Sequence, residues 1–118
     1  PAAVHTFMYR HHNAIISSKF SQKRLDRITE AYEDACAREP SWIVYCSACY
    51  GFCLMSDYNP DSVKTRGAKI LEDALDNAAE SQLPLSERVN FTIDLANVYL
   101  RGDGVEENEE KDGISPLY

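Results

Sequence analysis

The sequence predicts an all-α fold in one domain, and three observations carry that reading. Apolar residues recur at helical spacing from Val4 to Leu100. Breakers and caps, namely Ser21, Pro40, Asn59-Pro60 and Pro84-Ser86, fall between those stretches rather than within them. No alternating, β-branched segment bounded by turn residues competes as a strand. At 118 residues and 44% hydrophobic content, the chain is long enough for one core and too short for two ordinary domains.

Each helix has its own pattern. Val4, Phe7, Met8, His11 and Ile15 share a face and predict a first helix near 4–17. Ser21 is a good N-cap for a second helix, whose inner face reads Leu25, Ile28, Tyr32, Ala35 and Cys36 and which Pro40 ends. Trp42, Tyr45, Cys46, Cys49 and Cys53 form the stripe of the third, closed by the turn-prone Asp57-Tyr58-Asn59-Pro60. Asn59 is expected to cap the fourth helix, with Pro60 at its first position, where a missing N–H is harmless. That fourth helix shows the cleanest face: Val63, Gly67, Ile70, Leu71, Ala74, Leu75 and Ala78. The fifth, near 87–101, carries Val89, Phe91, Ile93, Leu95, Ala96, Val98, Tyr99 and Leu100 on more than one face, the pattern of a helix sandwiched between neighbours.

Charge narrows the function classes. There are 12 Lys and Arg against 19 Asp and Glu, a formal charge of -7. Duplex nucleic-acid binding needs clustered cations to neutralise phosphates, and an acidic total argues against it. No apolar run approaches the roughly 20 residues of a bilayer-spanning helix. Five glycines and five prolines exclude collagen-like and Pro/Gly-rich disordered chains. The charge is also uneven: residues 1–25 carry +4 with no acid, leaving -11 for residues 26–118. A basic, serine-containing start is compositionally like an organelle transit segment, although a window this short also reaches that composition by chance. At the other end Asp103, Glu106, Glu107, Glu109, Glu110 and Asp112 face only Lys111, the composition of a solvated tail.

An internal repeat organises the helices into hairpins. The pattern Ile28-x-x-x-Tyr32-x-x-Ala35 returns thirty-nine residues later as Gly67-x-x-x-Leu71-x-x-Ala74-Leu75. Small residues at these positions let two helices approach closely, and the large one fills the groove. This resembles the second helix of a tetratricopeptide repeat. The segment Leu95-Ala96-Asn97-Val98-Tyr99-Leu100-Arg101-Gly102-Asp103-Gly104-Val105, followed by Asn108 and Lys111, is similar to the Sel-one-like variety of that family, whose first helix runs "LA-x-x-Y" into "G-x-G-V". Gly102 and Gly104 suit a helix stop and turn, Val105 its plug, and Asn108 the cap of a following helix.

The resemblance implies a helical-hairpin α-solenoid of about two and a half repeats. It divides the chain into a basic segment with the first helix (1–20), a helical-repeat region (21–111) and a C-terminal tail (112–118). The sequence departs from the family at Cys49, where a large aromatic is expected, and in the connection from Asp57 to Arg66, which lacks the glycine-bounded turn. After Lys111 a full second helix would follow, whereas the chain reads Asp112-Gly113-Ile114-Ser115-Pro116-Leu117-Tyr118. An unfinished hairpin exposes the apolar face its next helix would cover, so Phe91, Leu95, Val98, Ile114, Leu117 and Tyr118 are the candidate partner-binding residues.

Chemistry-bearing motifs are sparse. The sequence holds no glycine-rich phosphate loop, nucleophile elbow, His-Glu-x-x-His or calcium-loop spacing. His5, His11 and His12 lie in an acid-free stretch and read as surface or half-buried histidines. Arg101-Gly102-Asp103 is explained by the repeat turn, and the sequon Asn90-Phe91-Thr92 lies within a helix. The four cysteines admit three readings. They are small packing residues between close helices; or Cys36 and Cys46, placed almost symmetrically about the turn near Pro40, form a cross-hairpin disulfide; or Cys46, Cys49 and Cys53, on one face, hold a soft metal or haem. The Cys36–Cys46 spacing also resembles half of the twin cysteine pairs of small mitochondrial intermembrane-space proteins.

The expectation is a non-catalytic protein–protein interaction module, without cofactor or metal: an adaptor, an assembly factor or an accessory subunit of a larger intracellular complex. Its variant is a mitochondrial supernumerary subunit or respiratory-chain assembly factor, drawn from the start of the chain and the cysteine spacing. A cysteine-based redox, metal- or haem-binding protein is the alternative of another class.

Overall fold

The computed structural model describes residues 2–78 and 82–101. Helix α1 spans Ala2–Ile15 and buries Ala3, Val4, Phe7, His11 and Ala14. Ile15, expected on this face, is 39% exposed, and Ala14 takes the inner position. Both ends of α1 are closed by distant side chains. The Val4 N–H donates to Glu39 Oε2 at 2.8 Å, and the Tyr58 hydroxyl donates to the Ala14 carbonyl. These meet the demand of helix termini for partners outside the helix.

Helix α2 (Gln22–Arg38) starts where its sequence says it should, with Ser21 Oγ accepting from the Arg24 N–H at 3.2 Å. It buries Ile28, Ala31 and Ala35. A single 3-10 turn, Pro40–Trp42, leads into α3 (Ile43–Leu54). Trp42, expected within the buried stripe, sits in this turn, 39% exposed, with its ring edge-on to Tyr45.

Helix α3 is the centre of the fold. Cys46, Ala48, Cys49, Tyr50, Gly51, Cys53 and Leu54 are all buried, which covers the helix nearly all round. It packs most extensively on α4 (Asp61–Asn77) and also touches α1, α2 and α5 (Leu85–Arg101). The sandwiched helix is therefore α3 rather than α5. Its apolar positions are mostly small, so their number on a sequence plot understates how completely they are enclosed.

Glycine sets the α3–α4 distance. A Cβ at Gly67 would lie 2.6 Å from Leu54 Cβ and 2.7 Å from the Gly51 carbonyl oxygen. A Cβ at Gly51 would lie 2.8 Å from both the Gly67 carbonyl oxygen and the Leu71 nitrogen. The helices cross backbone to backbone, and Leu71 fills the groove beside the crossing with no exposure.

Asn59 behaves differently from its sequence expectation. Helix α4 is preceded by Pro60 in extended conformation, without a side-chain cap. The buried Asn59 amide instead donates to the Leu54 carbonyl at 3.0 Å and to the Cys53 carbonyl at 3.4 Å. It closes the helix behind it rather than the one ahead.

Helix α5 is tied on by polar groups as well as by Leu95, Ala96 and Val98, which are buried. Arg88 donates to the Ala78 carbonyl at 2.6 Å and to the Leu75 carbonyl at 3.3 Å, placing a cation at the negative end of α4. Tyr99 donates to Glu72 Oε2 at 2.5 Å, and Tyr45 to Glu87 Oε1 at 3.2 Å. The most extensive pairings are thus α3 with α4 and α1 with α2, while α1, α3 and α5 touch in succession. The structure is all-helical, and among the described residues there is no strand and no helix long and apolar enough to cross a membrane.

Candidate functional site

Residues expected to bind a partner divide in an instructive way. Leu95 and Val98 are 9% and 4% exposed and belong to the chain's own core, and Phe91 is half-buried between α5 and Phe52. Ile114, Leu117 and Tyr118, the acidic stretch 103–112 and the Gly102–Gly104 turn lie outside the described residues.

The apolar surface that α5 does present runs through other side chains. Leu85 is 67% exposed, Ile93 45% and Leu100 46%, with half-buried Val89 between them. Advancing by four, four and seven residues keeps all four within an arc of about 80° around the helix axis. Ser86, Asn90 and Asn97 are exposed on the arc beyond. The helix therefore carries two apolar arcs: the one built on Phe91, Leu95 and Val98 faces inward, and on the second, among the described residues, Leu85, Ile93 and Leu100 are exposed beside half-buried Val89 and buried Ala96. Sequence reasoning missed this stripe because both arcs have helical periodicity. The available signal was the separation of Leu85, Val89, Ile93 and Leu100 from the Phe91–Leu95–Val98 set when both are plotted by angle.

The cysteines form a second cluster, inside the molecule. All four are free thiols, with Cys36 half-buried on α2 and Cys46, Cys49 and Cys53 buried on α3. Burial pushes Cys46 up to about 11, with the Cys36 charge adding to the effect. Burial likewise pushes Cys49 up to about 12 and Cys53 up to about 11. Cys36 is also raised by burial, although the Tyr32 hydroxyl within hydrogen-bond reach opposes this. Burial thus disfavours the thiolate at all four positions, as it does for a thiol packed between close helices. Among the described residues no group of three His, Cys, Asp or Glu side chains is placed to hold a metal ion.

Around them an aromatic lock fixes α2 on α3. Tyr32 stacks on Tyr50 at 4.2 Å and 11°, and the two hydroxyls hydrogen-bond to Ser47 at 2.8 Å and Thr29 at 2.7 Å. His11 enters from α1, its ring 6.0 Å from Phe7 and 6.4 Å from Phe52. Burial lowers its pKa, against the opposing effect of a hydrogen bond to the Cys49 backbone carbonyl. Its Nε2 is buried without a hydrogen-bond partner among the described residues. This is a neutral core histidine, more enclosed than the surface or half-buried reading allowed.

Comparison with protein families, with curated proteins and with solved structures found no match.

Proposed function

We propose that the chain is a non-catalytic interaction module of the helical-hairpin repeat type, which docks an apolar helix of another polypeptide along the exposed Leu85, Ile93 and Leu100 of α5. The observation that carries this reading is the stripe of Leu85, Ile93 and Leu100, exposed on a helix whose other apolar arc is already buried. The helix pairings support the repeat part of it. Helices α1 and α2 pack as one close pair, α3 and α4 as another, and α5 touches α3 and α4, which is compatible with stacked hairpins, although the resemblance itself begins only at residue 21 and leaves α1 outside the repeats. The run of acids after Gly102 adjoins this edge in sequence and favours a partner with basic residues beside its apolar face. Adaptor, assembly factor and accessory subunit are all roles of such a module, and a mitochondrial setting is its variant, tested by fractionation.

The experiment is hydrogen exchange of the full chain with and without the polypeptide that co-purifies with it. Docking at α5 protects residues 85–100 more than the α4 face 63–78, which is already enclosed. Equal protection of both, or protection confined to α1 and α2, would sink the proposal.

A further inference from the structure

Between α1 and α2 lies a cleft of about 500 Å³, lined by Tyr9, Arg10, Asn13, Ser21, Lys23, Arg24 and Arg27. Four of these residues are cationic and none is a carboxylate, in a chain with 19 acids and 12 bases. Arg10, Lys23 and Arg24 come from the acid-free first 25 residues, and the packing of α1 on α2 brings Arg27 to them. Asp26, the acid nearest in sequence, is turned to the Gln22 amide at 2.8 Å. Among the described residues, none of the four cations makes an ion pair.

Two of these side chains are nevertheless held. Arg10 Nη1 donates to the Arg27 carbonyl at 3.2 Å. Arg24 Nη2 donates to the Lys19 carbonyl, and its guanidinium lies 5.5 Å over the Tyr58 ring. Neutral carbonyls and an aromatic face orient a guanidinium without cancelling its charge, so Arg10 and Arg24 lose less freedom on binding an anion than free side chains would. Lys23 and Arg24 also occupy the first turn of α2, which contains no acid. That is the positive end of the helix dipole, where cations are unfavourable and an anion relieves them.

We propose that this cleft binds a multiply phosphorylated anion. Three of the four cations are arginines, whose planar forks match phosphate oxygens bidentately, whereas a solvated carboxylate surface needs no such geometry. The volume is that of a small-molecule site rather than an extended polypeptide groove. Tyr9, 70% exposed at the rim, gives an aromatic wall for the organic part of the ligand. The site is on α1 and α2 and stands whether or not α5 docks a helix.

The test is titration of the full chain with inorganic pyrophosphate and with ATP by calorimetry, alongside flotation with phosphatidylcholine vesicles with and without phosphatidylinositol bisphosphate. Arg10→Gln combined with Arg27→Gln should weaken phosphate binding by about ten-fold or more, the usual scale for charged hydrogen bonds. Arg38→Gln, whose guanidinium is paired with Asp34 farther along α2, should leave it unchanged. Circular dichroism checks that the double variant is folded, and Lys23→Gln with Arg24→Gln gives an independent second pair. Binding of the soluble phosphates identifies a free ligand, and binding only to the phosphoinositide vesicles, lost in the same variants, identifies a lipid headgroup. A polyglutamate peptide that binds as well as pyrophosphate, no binding of any probe, or unchanged binding by both double variants would overturn the proposal.

Discussion

His11 and the α3 cysteines give this protein a pH window that can be derived group by group. Burial lowers the histidine's pKa below its ordinary 6.5, so the folded state resists a proton that the unfolded chain accepts. The stability contributed by neutral His11 is complete above 6.5 and declines as pH falls below it. The thiols act in the opposite direction. Cys46, Cys49 and Cys53 are raised from 9.0 to about 11, 12 and 11, so their contribution is complete below 9.0 and is lost as pH rises through the folded values. Between those limits each thiol steepens the alkaline limb, because the unfolded chain gives up its proton first. Melting midpoints are therefore expected to be flat between the two limbs. His11→Phe, which keeps a ring among Phe7 and Phe52, should flatten the acid limb relative to the unmodified chain. An acid limb identical in the two proteins would show that His11 is not the group responsible.

At the scale of elements, the α3–α4 crossing decides which substitutions are tolerated. Alanine is the better helix former by about 1 kcal/mol, so on propensity alone Gly67→Ala should stabilise α4. The new Cβ would meet Leu54 Cβ at 2.6 Å and the Gly51 carbonyl at 2.7 Å, and backbone cannot swing aside as a flexible side chain could. Overpacking should win, with a net loss of about 1–3 kcal/mol in chemical denaturation. Gly51→Ala should behave alike, and the double substitution should be non-additive because the two glycines touch. A raised unfolding midpoint for Gly67→Ala would mean the helices are farther apart than this. The sequence marked Gly67 through the repeat pattern. It gave no mark to Gly51, since an isolated glycine in an apolar helix has no partner until the other helix is docked.

For the whole molecule, α5 is the surface to watch. An uncovered stripe of Leu85, Ile93 and Leu100 should make the purified chain self-associate as its concentration rises. Leu85→Lys with Ile93→Lys should return it to monomer in sedimentation velocity with helicity unchanged, since both side chains already face water. A chain that stays monomeric at the highest attainable concentration would mark the stripe as ordinary surface.

The sequence by itself determined what is local. Apolar periodicity assigned the all-helical class, Ser21 the start of α2 and Pro40 its end, and these hold because a cap bonds within three residues and a proline acts on the turn beside it. Only the tertiary structure decided which faces meet. It turned Asn59 back to the end of α3, made α3 the enclosed helix, and chose Phe91, Leu95 and Val98 over Leu85, Ile93 and Leu100 for the core. It also drew Arg10 and Arg27, seventeen residues apart, into one cleft. A helix pattern fixes the angle of each side chain about its own axis, but the rotation of that axis against its neighbours is set by shape, through close approaches such as Gly51 on Gly67, and no period in the chain records it.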